Sequence, residues 1–408
     1  MIKIEYAKQS IIYTSGHIIT LASDWIIMML LPLFCSYAKQ GVYSFAFAIT
    51  SVLSTIGLFS LRNYQVIMGK STIQQRCIYS VQIYLVLLCS ILLMGMCLIT
   101  KWSEETVFVM CVLFLWQMTP VFVSPMFGEL QMIERLDIAG FAAILSGVLK
   151  LVLFVSASKI SNSFFISLFV SYFITTLCYF IYVFTSYKKI KNHNPPINMV
   201  INNDMFRILK DCFPLMVASV LPTIINSVPK IIIKRECGEV YLGYYTTLTA
   251  FSVFLPTVIT GLTAPLLNTY SKLFRAGDID ILSDKWKKLL KRVVLYFVLG
   301  SLVITPLFCF GLYKIYGEIV IEHACVLCMS IIAMLFLALN NLALPIIIMF
   351  KKNNYELGIT FLTLVLCIAL CEVLTRRCSI EGATIAMLIS YFICAQINTF
   401  FANSLMKT

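Results

Sequence analysis

Continuous apolar runs, not alternating ones, set the pattern of this chain. Twelve can be marked, at 10–34, 41–61, 78–100, 107–128, 138–157, 163–185, 212–233, 244–268, 293–313, 324–349, 357–374 and 383–402. A helix needs about 20 mostly apolar residues to cross roughly 30 Å of hydrocarbon, and these runs are of that order. Barrel strands would be shorter and would alternate in polarity, whereas a helix satisfies its own backbone polar groups inside lipid. The pattern therefore predicts an all-α, polytopic membrane protein with twelve transmembrane helices. The first run is too long for a signal-peptide core and lacks a small-residue cleavage site, so it is expected to remain in the mature protein.

The polar segments between the runs give the organisation. The longest, 186–211, separates six runs from six. It predicts an N-terminal six-helix lobe over 1–185, a cytoplasmic linker over 186–211 and a C-terminal six-helix lobe over 212–408. A short internal likeness agrees with this division: Gly-Val-Tyr-Ser at 41–44 and Gly-Tyr-Tyr-Thr at 243–246 open runs two and eight, 202 residues apart. Six crossings return the chain to the side it started from. The lobes should then be related by a pseudo-two-fold axis along the membrane normal, with cargo bound between them.

Composition supports the membrane reading and adds an orientation. Of 408 residues, 60% are hydrophobic and only 12% charged, too little polar surface for a soluble globule. With a cytoplasmic N-terminus, 21 of the 31 basic residues fall on cytoplasmic segments, so both termini are expected inside. The net charge of +12 is then a topology signal and calls for no nucleic-acid partner. Most of the 15 cysteines lie within runs, where cysteine behaves as a small apolar side chain. Cys325 and Cys328 have metal-like spacing, but no second pair or nearby histidine completes a site. The basic stretch 285–292, around Trp286, Leu289 and Leu290, would either lie on the anionic inner leaflet or simply orient the chain.

Candidate chemistry is sparse. His17, His193 and His323 fall on different levels or sides, and no nucleophile and base pair, metal cluster or Gly-rich phosphate loop can be assembled. That argues for moving a molecule and against an enzyme. The ionisable residues inside the runs are Asp24, Lys150 and Glu372, with Lys230 near the end of run seven. Charge at bilayer depth costs about 2.5–3.5 kcal/mol on insertion scales, so each should face the interior, a cavity or a partner. Asp24 could bind a coupling H+ or Na+, or pair with a lysine across the bundle. Lys150 and Lys230 could line a cavity or snorkel outward. Glu372 is close enough to Arg376 and Arg377 to form an interfacial pair. Prolines in runs four, seven and eight, such as Pro120, Pro125, Pro222 and Pro256, could kink helices that face a cavity.

One stretch carries more specific information. Gly-Leu-Phe-Ser-Leu-Arg-Asn-Tyr-Gln-Val, residues 57–66, resembles the segment after the second helix of the Wzx-type polysaccharide-unit flippases. These are a branch of the multidrug, oligosaccharidyl-lipid and polysaccharide exporter superfamily. Gly57, Leu58, Leu61, Arg62, Tyr64, Gln65 and Val66 match that motif, while Ile67 and Met68 replace its closing Ser-Asp. Residues 241–273 are similar to the start of the family's eighth helix, and Lys230 stands in the neighbourhood where members often carry Asp. The resemblance implies a flippase that moves undecaprenyl-diphosphate-linked oligosaccharide repeat units, of O-antigen or capsule, from the inner to the outer leaflet of a bacterial cytoplasmic membrane. It would work by alternating access, with no cofactor beyond a coupling H+ or Na+. Its partners would be the lipid-linked substrate, membrane lipids and other polysaccharide assembly proteins. Substrate would then be bound by Arg62, Lys150, Lys230, Tyr64 and Gln65, with Asp24 as the ion-coupling residue. Two rivals stand beside this reading. A cation-coupled drug exporter of the same fold would line its cavity with acidic residues; a membrane polysaccharide polymerase would carry a large external loop.

Overall fold

A computed structural model describes residues 2–406 except 69–71, 162, 192–202, 251, 253–254, 257–258, 260–269 and 271. Among the described residues the chain is helical and contains no strand. Eight helices come first: α1 (Ile2–Phe34), α2 (Tyr37–Leu58), the short α3 (Leu61–Met68), α4 (Thr72–Thr100), α5 (Glu104–Met132), α6 (Asp137–Ser161), α7 (Phe164–Lys191) and α8 (Asn203–Cys237). Then come α9 (Glu239–Thr249), α10 (Ile279–Tyr316), α11 (Ile319–Glu322), α12 (Ala324–Met349) and α13 (Asn353–Leu405). Ten of these are long and apolar enough to cross a membrane, and side chains such as Ile99, Leu302 and Phe400 stand fully outward on them. In water that surface would be prohibitive; in lipid it costs nothing.

One difference from the twelve runs has a local cause. Runs eleven and twelve lie in α13, joined where the backbone leaves helical geometry at Cys378 and Ser379, the latter at φ 47°. The chain folds back so tightly there that a Cβ on Gly382 would overlap the Leu374 carbonyl. Run eight lies largely outside the described residues; only its start, in α9, and a few later positions are seen.

The chain divides into two compact units, Met1–Thr223 and Ile224–Thr408, with the boundary inside α8. This falls later than the expected 186–211 segment because the first turns of α8 belong to the first unit. There Ile208 and Cys212 pack with Phe59, Leu61, Ile78 and Val81. A second cluster in this unit joins α4, α5, α6 and α7 through Tyr79, Phe127, Ile138, Tyr179 and Tyr187. In the second unit Trp286 is buried against Leu342, Ile346 and Met406. The basic stretch 285–292 is therefore the amphipathic first part of α10: its tryptophan faces the core, while Lys285, Lys287, Lys288, Lys291 and Arg292 are exposed.

The tightest helix contact in the first unit is the α1/α6 seam. Gly140, Ala143, Gly147 and Lys150 recur at spacings of three and four, which puts them on one face of α6. Opposite them on α1 are Gly16, Thr20 and Asp24. A Cβ on Gly16 would strike the Gly140 carbonyl, and one on Gly140 would strike the Ile12 carbonyl. Small residues let the backbones meet, as in membrane helix pairs generally. Thr20 Oγ1 then donates across the seam to the Ala143 carbonyl at 2.9 Å. The same close approach carries Lys150 to Asp24, one turn beyond Thr20.

The two Gly-x-Tyr tyrosines sit alike within their units. Tyr43 is buried with its hydroxyl 2.6 Å from that of Tyr172, on the helix of run six. Tyr245 is buried with its hydroxyl against Met387, on the helix of run twelve.

Candidate functional site

The motif at 57–66 is an elbow. Gly57 is packed so closely against Val121 that a Cβ there would lie 3.1 Å from a valine methyl, and its carbonyl accepts from Gln82 Nε2 at 2.8 Å. α2 then ends, because Phe59 and Ser60 both adopt left-handed backbone, φ 46° and 53°. α3 starts at Leu61, which is fully buried. The turn separates the side chains: Phe59 points into an apolar cluster, while Ser60, Arg62 and Asn63 face a cavity of about 410 Å³ within the first unit.

Arg62 is the cation of that cavity. Its Nε donates to Gln131 Oε1 at 3.0 Å and its Nη1 to the Tyr13 hydroxyl at 3.3 Å. The guanidinium lies over the rings of Tyr13 and Phe127, at 5.5 and 6.0 Å from their centroids. Among the described residues it makes no ion pair, so its charge is oriented but not neutralised. The rest of the lining is hydroxyl-rich, with Thr55, Ser124, Tyr179 and Ser219 beside His17, and among the described residues it contains no carboxylate. Such a lining suits an oxyanion with several acceptor oxygens.

The other predicted residues lie elsewhere. Tyr64 packs against the apolar cluster of Phe59, Leu61 and Ile208 and does not line the cavity. Gln65 has no exposure; its Nε2 donates to the Pro125 carbonyl at 3.0 Å and to Gln75 Oε1 at 2.5 Å. It ties α3 to α5, and the absent side chain of Gly128 leaves the room it occupies. Lys150 and Asp24, predicted separately for substrate and for ion, are paired with each other, and Lys150 does not snorkel: it is fully buried. Lys230 belongs to the second unit, half-buried, and makes neither hydrogen bond nor ion pair among the described residues. Glu372 pairs with Arg376 one turn on, as its spacing suggests, and also with Arg235 of α8.

Sequence reasoning missed Tyr13, His17 and Gln131. The first two lie one turn apart in the first half of α1, a spacing that reads as ordinary helix surface until the Arg62 elbow is brought against it. Glu129 was also missed because it falls just beyond run four. It is buried, accepts from the Tyr187 hydroxyl at 2.8 Å and pairs with Lys191 at 3.3 Å.

No protein-family model matches the chain, and no curated protein does. Solved structures do match over nearly its whole length. The lipid II flippase MurJ, in an inward closed conformation, aligns with a TM-score of 0.74 at 14% identity, covering 97% of this chain and 87% of its own. An inward-facing multidrug resistance MATE family transporter of the MOP superfamily gives 0.69 at 12%, covering 99% and 94%. A MOP superfamily transporter from Pyrococcus furiosus, described as having a binding pocket of reversed polarity, gives 0.61 at 12%, covering 99% and 96%. At such identities the likeness is one of fold. The chain is an all-helical, multi-pass membrane protein with the fold shared by transporters of the MOP superfamily.

Proposed function

We propose that this protein is a flippase for lipid-linked oligosaccharides of the Wzx type, carrying undecaprenyl-diphosphate-linked repeat units across a bacterial cytoplasmic membrane by alternating access. The observation that carries this reading is Arg62, a guanidinium held by Gln131 and Tyr13, facing a cavity that has no carboxylate among its described lining residues. A diphosphate cannot cross hydrocarbon with its charges bare, and an oriented, unpaired guanidinium is the group that binds phosphate oxygens two at a time. The hydroxyls and Asn63 offer hydrogen bonds to sugar, and the prenyl tail can stay in lipid. A volume of about 410 Å³ holds the diphosphate end of such a molecule, not the whole of it. Lys230, without an ion pair among the described residues of its own unit, is the second candidate for an anion contact. A drug exporter selecting cationic compounds would need acidic lining, and the described lining residues of this cavity include none.

A deletion strain should accumulate lipid-linked repeat units facing the cytoplasm. Complementation with Arg62→Ala should lower export on the order of ten- to a hundred-fold, since a charge-assisted hydrogen bond contributes about 1.5–3 kcal/mol, while insertion stays normal. Export at the native level by this variant would remove the cavity's role, and normal display of the glycan in the deletion strain would remove the cargo.

A further inference from the structure

The α1/α6 seam ends on a charge pair that the headgroup cavity does not use. The Lys150 side chain has no exposure, whereas that of Asp24 keeps 19%. Lys150 Nζ donates to Asp24 Oδ1 and lies 4.8 Å from the ring centroid of Trp116 and 5.7 Å from that of Tyr172. The two rings meet edge to face, centroids 6.0 Å apart, and the Tyr172 hydroxyl is held by that of Tyr43. A carboxylate backed by two aromatic faces is what binds a compact monovalent cation in a dry setting. Here the cation arrives on a four-carbon stem, fixed to α6 by the same Gly140–Gly147 face that presses the helix onto α1.

We propose that the Lys150 ammonium is the permanent, tethered occupant of a monovalent-cation site formed by Asp24, Trp116 and Tyr172, which closes that site to a mobile cation in the native protein. A free ion would have to displace a group whose covalent attachment gives it a local concentration no solution ion reaches. Two cations at one carboxylate also repel strongly where the dielectric is low. The arrangement is sealed on the lysine side, while the Asp24 side chain is partly uncovered; the proposal requires a cation to reach the carboxylate from that side once the lysine is cut back. Asp24 therefore does not couple transport to H+ or Na+; a driving ion, where one is used, binds elsewhere. This inference does not depend on which cargo is carried.

An ordinary structural ion pair and a tethered cation differ in one readout. Both lose stability when the lysine is shortened, but only the second recovers it from a free cation. The full-length protein, purified in detergent, is compared by thermal unfolding in ethylammonium, methylammonium, Na+ and the bulky N-methylglucamine at equal ionic strength. Native Tm should be the same in all four. Lys150→Ala should unfold at lower temperature in N-methylglucamine and regain at least half of the loss in ethylammonium, and adding Asp24→Asn should abolish the recovery. Lys150→Met, which keeps the stem and vacates only the ammonium, should respond to Na+ or methylammonium and serves if the alanine variant does not fold. The proposal is overturned if both folded variants ignore every cation, or if Na+ stabilises the native protein in a way that Asp24→Asn removes. If neither variant folds in N-methylglucamine, both are produced and purified in methylammonium or ethylammonium: folding that depends on the cation and on Asp24 supports the proposal, and failure to fold in every cation overturns it.

Discussion

At the residue scale, the proposed function rests on one oriented charge. Arg62 could be named from the motif in the sequence, but a positive residue at the end of a membrane helix is equally explained by topology. Gln131 and Tyr13 use Nε and Nη1 and leave the remaining guanidinium donors without a partner among the described residues, which is what the proposed anion role needs and a plain anchor does not. Lysine keeps the charge but not the fork, so Arg62→Lys should restore insertion fully and export only in part, read in the same complementation assay. Gln65 is the reverse case. The resemblance to the family motif places it among the substrate contacts, yet its side chain is buried and donates to the Pro125 carbonyl and to Gln75. Gln65→Leu should therefore lower thermal stability by about 1–3 kcal/mol, because the buried acceptors on Pro125 and Gln75 lose their donor. A Gln65→Leu protein as stable as the native one, but dead in export, would return the residue to the substrate.

At the scale of elements, the two features that position the candidate groups are a strained turn and a glycine seam. Neither is visible as hydrophobicity. Phe59 and Ser60 occupy left-handed backbone that costs non-glycine residues about 1–2 kcal/mol each. The packing of Phe59, Leu61 and Ile208 offsets that cost. The seam depends on Gly16, Gly140 and Gly147 having no side chain. Gly140→Val should force α1 and α6 apart, lowering stability by at least about 1–3 kcal/mol by overpacking. It should also make the protein cation-responsive in the thermal assay, since Lys150 then no longer reaches Asp24. Loss of stability without any cation response would show that the ion pair survives the separation.

At the scale of the whole molecule, the sequence reading predicts a defined threading of the membrane. With both termini inside, a reporter fused after 191 should be active only in the cytoplasm and one fused after 237 only outside. The opposite pattern would reverse the side from which the Arg62 cavity loads. The described helices match the apolar runs in order, and the fold they make is that of known transporters. The division between units was harder to read. Polarity marked 186–211, but Met205, Ile208 and Cys212 on the first turns of α8 pack with Phe59 and Leu61, and the compact unit extends to Thr223.

By itself, the sequence determined that this chain spans a membrane as helices, where those helices lie, and that few charges are kept among them. Those properties follow from transfer of side chains and backbone into lipid, which acts on each segment locally and leaves its mark in composition and run length. Only the tertiary structure decided which polar side chains meet. Asp24 and Lys150 are 126 residues apart and Arg62 and Gln131 are 69 apart, and each pair forms because two helices approach at one particular height and rotation. Rotation is set by where glycines allow backbones to touch and where a left-handed turn redirects the chain, and hydrophobic patterning does not encode either.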